Sequence, residues 1–274
     1  MSTTRIPSRK MQCELSLCLY VDKEMLIMDF EHLGIKEGDA VLVHSSLASI
    51  GCVEGGADTV IDTLLECVGD RGTVLMPTLT GSAELSTLNP PVFDVRNTPC
   101  WTGTIPETFR KRAGAVRSLQ PTHSVAAIGA QARMLTAGAE EADMPCGRHT
   151  PYEKLARMPN GRILMIGCGL ESCTMLHHVE ERAGIPEHLQ DEPAECTVID
   201  YDGREIKVRT YLHRYGLPRN FPIMHDVYIE RGIMRTGIVG EADALLIKAG
   251  EMVEYTLTRL EEDPLLLYAK TAEG

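Results

Sequence analysis

The chain has 274 residues, of which 43% are hydrophobic and 24% charged, enough for a large core and too ordinary a charge content for disorder. With 39 acidic against 27 basic residues the net charge is −12; this suits a cationic ligand and argues against nucleic acid, whose binding is dominated by cationic contacts to phosphate. No run approaches 18 apolar residues, so neither a membrane span nor a membrane partner is expected.

Residues 1–20 read as a loosely ordered lead-in. Arg5, Arg9 and Lys10 ahead of an apolar stretch imitate a signal peptide, but Glu14 interrupts that stretch and no small-residue cleavage site follows. The nine cysteines form no C-x-x-C pair, which points to free thiols in a reducing cytoplasm. A helix is predicted over Lys23–Leu33, closed by Gly34, and a buried strand over 40–43. Ala57, Val60, Ile61, Leu64, Leu65 and Val68 follow helical spacing, and 73–76 is the next strand. Strand, loop, helix and strand within about 40 residues make a βαβ unit and so a parallel pair.

Further strands are expected at 124–128 and 163–166, and helices near 105–113 and 173–183. Residues 196–199 and 206–210, joined across Tyr201-Asp202-Gly203, read as an antiparallel hairpin. Apolar spacing over 241–261 predicts a long closing helix. No repeat, low-complexity tract or linker divides the chain, so residues 21–274 are read as one α/β domain. Its sheet is expected to be mixed and largely parallel, flanked by helices, with the hairpin inserted. The stretch between Thr78 and Pro106 is long for a compact domain and suggests a functional wall.

G-x-x-x-x-G-K-[ST], H-E-x-x-H and G-x-S-x-G are all absent. Gly167-Cys168-Gly169 begins a G-x-G after a strand, but Ser172 stands where the third glycine belongs. Three segments carry chemistry instead. Ser45, Ser46, Ser49, Gly51, Gly55 and Gly56 lie between a strand's carboxyl end and a helix N-terminus, where unpaired N–H groups favour an anion. Arg110, Lys111, Arg112 and Arg117 form a basic cluster of sign opposite to the whole chain, followed by Ser118 and then His123 at a strand entrance. In Thr174–Glu181, His177 lies three residues from Glu180 and four from Glu181, so a carboxylate meets the imidazole on one helical face. Such pairing orients a general base and raises its basicity. His44, His123, His177, His178 and Glu180 also offer zinc ligands, although only the last three are close in sequence; no metal is assigned.

Taken in order, these segments resemble the aminoglycoside N(3)-acetyltransferases, or antibiotic N-acetyltransferases. The resemblance runs from about Leu33 to Leu267. It rests on His44-Ser45-Ser46-Leu47 with Ser49 and Gly51; Gly55-Gly56-Ala57; Gly72-Thr73 with Met76-Pro77-Thr78; and Phe93-Asp94 with Thr98-Pro99. It continues through Thr102-Gly103-Thr104-Ile105-Pro106-Glu107, Arg117-Ser118, Pro121-Thr122-His123-Ser124-Val125, Pro151-Tyr152, and Leu176-His177 with Glu180.

The resemblance implies acetyl transfer from acetyl-CoA to the 3-amino group of a cationic aminoglycoside, hence antibiotic resistance, on a fold distinct from GNAT acetyltransferases. No Arg or Gln here is followed three residues later by Gly, as a GNAT pyrophosphate loop requires. His177 is then the base, Glu180 its partner, and His123 a second base or a substrate-orienting group. CoA is expected along His44, Ser45, Ser46, Leu47 and Ser49 and against Arg117 and Ser118, with Thr78, Thr122 and Ser124 nearby and Thr78 or Thr122 as oxyanion donors. Asp94, Glu107, Tyr152 and Asp226 are the candidates for holding the antibiotic. Gln120 stands where family members usually carry His, which points to an altered substrate range, and the lead-in is longer than the family core needs. The competing readings are a family member acting on another amine metabolite, a zinc-dependent hydrolase built on the His/Glu cluster, and a binding module. Oligomeric state is not encoded in any of these motifs.

Overall fold

The computed structural model describes residues 20–216 and 218–269; most of the lead-in, with Cys13 and Cys18, lies outside them. Helix α1 (Lys23–Leu33) spans the predicted residues. The Asp22 carboxylate accepts the Met25 N–H at 2.8 Å, and Gly34 closes the helix in the left-handed region, at φ 110°. Strand β1 (Ala40–Ser45), the single turn α2 (Leu47–Ile50), helix α3 (Ala57–Val68) and strand β2 (Thr73–Pro77) follow. β1 and β2 pair in parallel, as the crossover requires. α3 buries Val60, Ile61, Leu64 and Val68, each worth roughly 1.5–3 kcal/mol over exposure.

The long 78–106 stretch holds a short strand, β3 (Val92–Asp94), and ends in α4 (Thr104–Phe109). β4 (Val116–Arg117), β5 (Val125–Gly129), α5 (Ala132–Thr136), α6 (Pro151–Ala156), β6 (Gly161–Ile166) and α7 (Thr174–Arg182) come next. The predicted hairpin is β7 (Ala194–Ile199) with β8 (Glu205–Thr210). β3 adds to β7 in parallel, making a separate three-stranded sheet. The chain ends in α8 (His225–Glu230), β9 (Met234–Val239), β10 (Ala242–Lys248) and α9 (Ala249–Glu262). The pattern over 241–261 predicts one helix, and the structure divides it. Ala244–Ile247 is a continuous apolar run, which suits a strand buried on both faces as well as a helix. A turn at Gly240, φ 59°, sends it back against β9.

The main sheet runs in the order β4-β5-β2-β1-β6-β10-β9. β2, β1 and β6 are parallel, and the outer pairings are antiparallel. The sheet is mixed as expected, with its parallel part confined to the centre. Ala40 and Leu42 of β1 face one core and Val41 and Val43 the other, the period-two pattern of a strand covered on both sides. α5 to α9 pack on the first face and α1, α3 and α4 on the second. His44 continues the alternation towards the face that carries α7.

Cys67, Cys100, Cys146, Cys168, Cys173 and Cys196 are free thiols. Cys52 is disulfide-bonded, so the expectation of free thiols throughout fails there. Among the described residues no helix is long and apolar enough to cross a membrane.

Candidate active site

Parallel strands bring their carboxyl ends together, and an open α/β sheet binds its ligand there. A cavity of about 350 Å³ lies at the ends of β1, β2 and β6. His44 and Ser45 come from β1, Pro77 and Leu79 from the end of β2, and Cys168, Glu171, Ser172, Thr174 and His177 from the segment after β6. Trp101, Thr102 and Pro106 close the remaining side, so the long stretch after β2 does form a wall. That wall is pinned: the Trp101 indole donates to the Gly81 carbonyl at 2.8 Å and the Thr102 hydroxyl to the Pro77 carbonyl at 2.7 Å. Gly167 turns the chain out of β6 at φ 64°, and a Cβ there would sit 2.3 Å from that of Ser49. This close approach needs glycine.

His177 Nδ1 and Glu180 Oε2 are 2.7 Å apart. Arg219 Nε lies 3.3 and 3.4 Å from the two Glu180 oxygens. Burial works against charge on Glu180, but the His177 hydrogen bond and the charges of His177 and Arg219 outweigh it and hold the carboxyl below its ordinary value. An ionised carboxylate only accepts, so Nδ1 carries the proton and Nε2 is left with a free lone pair. Pairing with a carboxylate predicts raised basicity for His177. In the structure burial dominates Glu180's opposing effect, and the pKa falls below the ordinary 6.5. The imidazole is therefore neutral near pH 7, the state a base requires.

His44 is buried, which depresses its pKa to about 4, with His177 adding to the effect. Its Nε2 and the Ser45 hydroxyl are buried without a hydrogen-bond partner among the described residues. Both residues line the cavity. Ser49 Oγ donates to Ser46 Oγ at 2.8 Å, and Leu47 begins α2, a four-residue turn, where a longer helix N-terminus is expected.

The other expected cofactor contacts do not reach the cavity. Arg117 is 3% exposed, and its guanidinium is spent internally. It donates to the Thr78 and Ser124 hydroxyls at 3.0 Å each, to the Thr98 carbonyl at 2.6 Å and to the Thr78 carbonyl at 2.8 Å, over the Phe93 ring. Ser118 accepts the Val125 N–H, and the Ser124 hydroxyl donates to Thr78. Thr78 and Thr122, expected as oxyanion donors, hydrogen-bond instead to Ser124 and to Gln120. These five residues form a buried polar clasp between β2 and β5.

The substrate candidates do not line this cavity either, although Glu107 lines the neighbouring one that shares Trp101. Asp94 accepts N–H bonds from Arg96 and Asn97 in its own turn. Glu107 binds Arg110, Lys111 and the Cys100 N–H. Tyr152 is fully buried, its hydroxyl directed to the His123 carbonyl at 3.4 Å. Asp226 is exposed beside His225. The carboxylate that does line the cavity, Glu171, has no sequence signature beyond following Gly167-Cys168-Gly169. Arg219, which braces Glu180, was equally invisible because 39 residues separate them.

His123 is buried 6.4 Å from the His177 ring and 4.3 Å from that of His213. Burial first, then the neighbouring His177, His188 and Arg219, lower its pKa well below 6.5. Gln120 is buried too and accepts the Thr122 and His123 N–H groups at 2.7 and 2.6 Å. It shapes the loop that carries His123 and does not face the cavity. His178 turns away, its Nδ1 at 2.7 Å from the Cys146 carbonyl. The zinc set built on His44, His123, His177, His178 and Glu180 therefore does not assemble.

The family model for aminoglycoside 3-N-acetyltransferase matches residues 42–261. Aminoglycoside N(3)-acetyltransferase VII of Streptomyces paromomycinus is 31% identical, over 88% of this chain and 92% of that one. Among solved structures, a mutant of AAC(3)-IVa in complex with a gentamicin superposes with a TM-score of 0.78 at 28% identity, covering 92% of both chains. AAC-IIIb in a binary complex with CoASH superposes with a TM-score of 0.76 at 26% identity, covering 92% of this chain and 99% of that one. Sequence and fold agree, and the chain belongs to the aminoglycoside 3-N-acetyltransferase family.

Proposed function

We propose that the cavity at His177 transfers the acetyl group of acetyl-CoA to the 3-amino group of an aminoglycoside, with His177 Nε2 as general base. The observation that carries this reading is the 2.7 Å Nδ1–Glu180 contact, which leaves Nε2 unprotonated on a cavity at the strand ends. An aminoglycoside amine is largely protonated in water, and only the neutral amine attacks a thioester. The amine gives up one proton to solvent before it attacks; as it attacks, Nε2 takes the second, and Glu180 steadies the imidazolium that forms. As the N–C bond forms and the C–S bond breaks, the proton passes on to the leaving thiolate. The Ser45 hydroxyl, buried and unpartnered, is our donor to the thioester oxygen, where negative charge develops.

Trp101 lines both this cavity and a surface cavity of about 600 Å³ that also presents Thr104, Thr108, Lys111 and Arg112. We place the CoA arm along that path, its phosphates towards Lys111. Glu171 is our anchor for a second ammonium of the antibiotic, and the cytoplasm, which supplies acetyl-CoA, is the compartment proposed. The test is CoA release, followed with a thiol reagent, across aminoglycosides that differ at the 3-amino group. Turnover only where that amine is free supports the reading. Turnover on amines lacking it, or on none, overturns it.

A further inference from the structure

The residue after Glu180 faces a different cluster. The Glu181 side chain is fully buried, with its Oε1 2.9 Å from His213 Nε2 and 3.8 Å from His188 Nε2. One donor atom from each of these residues lies within 4.8 Å of the other two. His188 is 0% exposed, and its Nε2 has no hydrogen-bond partner among the described residues. A buried imidazole nitrogen left unsatisfied is costly, and the Glu181 carboxyl group, 3.8 Å away, is too distant to bond it directly. The Cys146 N–H donates to the Glu181 carboxyl group, and His213 and His188 stand beside its Oε1. A divalent cation would satisfy all three groups together.

We propose that Glu181, His188 and His213 form a binding site for one divalent cation of the zinc class. Two imidazoles and one carboxylate are the donors zinc favours, whereas calcium and magnesium take oxygen alone. Zinc holds nitrogen and oxygen at about 2.0–2.1 Å, which sets tetrahedral donors roughly 3.4 Å apart. The 2.9 and 3.8 Å separations lie on either side of that value, with the fourth position left to water. The backbone holds two of the ligands in place before any ion arrives. Leu189 and His213 form an antiparallel bridge, and the Arg214 N–H donates to the His188 carbonyl at 2.7 Å.

The cation would fasten α7 to the two segments that flank the β7–β8 hairpin. It would also fix the His213 ring, which packs 4.8 Å from His177. A polar cavity of about 570 Å³, lined by Asp143, Gly147, His178 and Glu181 among others, reaches Glu181. It shares no lining residue with the His177 cavity. The role is therefore one of positioning, and the site does not depend on the acetyl-transfer reading.

The full chain, dialysed against zinc and then against metal-free buffer, is assayed by elemental analysis, and cobalt(II) is loaded in parallel for visible absorption. About one zinc per chain and a tetrahedral cobalt spectrum are expected, both lost in His188→Ala. His188→Ala truncates a fully buried ring; isosteric Glu181→Gln supplies the same test if that variant does not fold. His177→Ala should keep the ion. A wild-type protein that retains neither metal, or variants at His188 or Glu181 that retain as much as wild type, would overturn the proposal. CoA release measured alongside reports the catalytic reading separately.

Discussion

At position 177 two opposing effects decide the protonation state of the imidazole. Glu180 pulls it towards the charged form, burial pushes it towards the neutral form, and burial dominates. A sequence displays the partner three residues away but not the depth of the surrounding core, so the direction of the shift was not legible while the pairing was. The same distinction governs Ser45. Its place after a strand marks it as a candidate, and only its unpartnered, buried hydroxyl singles it out among neighbouring serines. Ser45→Ala should lower kcat by about 10²-fold, the usual effect of losing one oxyanion donor, with the melting temperature preserved. Steady-state kinetics beside a thermal melt check this, and an unchanged kcat removes Ser45 from the mechanism.

Among the elements, α7 was readable because its chemistry and its apolar stripe share one helical period: His177 and Glu180 pair while Leu176 and Val179 enter the core. The segment around Arg117 joins elements that the sequence does not place together. A basic residue in an acidic chain suggests an anion partner, yet here the guanidinium ties together the carbonyls and hydroxyls of β2, β5 and the wall. Burial, with Arg110 nearby, lowers its pKa to about 10, which leaves it charged. Arg117→Met should cost several kcal/mol of stability, at about 1–3 kcal/mol for each buried acceptor left unpaired. Denaturant unfolding measures this. A variant of wild-type stability with a raised KM for acetyl-CoA would restore the cofactor role. The strand β10 was missed because a run buried on both faces has no period to read, and Arg219 because its contact spans distant segments.

The whole molecule places its working groups where three parallel strands end and surrounds them with buried imidazoles. His44 illustrates what that costs in acid. Its pKa is 6.5 when exposed and about 4 when folded, so the unfolded chain binds the proton first as pH falls. The stability this residue contributes is present above pH 6.5 and is lost progressively down to pH 4, about 3 kcal/mol in total at 1.36 kcal/mol per pH unit. Urea unfolding at pH 7 and pH 5 should show the drop, and His44→Gln should lessen it. Parallel pH profiles for the two proteins would contradict the assignment.

Whether His177 Nε2 takes the proton from the substrate amine is decided by the turnover of His177→Ala with acetyl-CoA and a 3-amino aminoglycoside. A fall in kcat of about 10²–10⁴-fold, in a protein that still folds and binds acetyl-CoA, is the expected result. Turnover close to wild type would show that another group is the base.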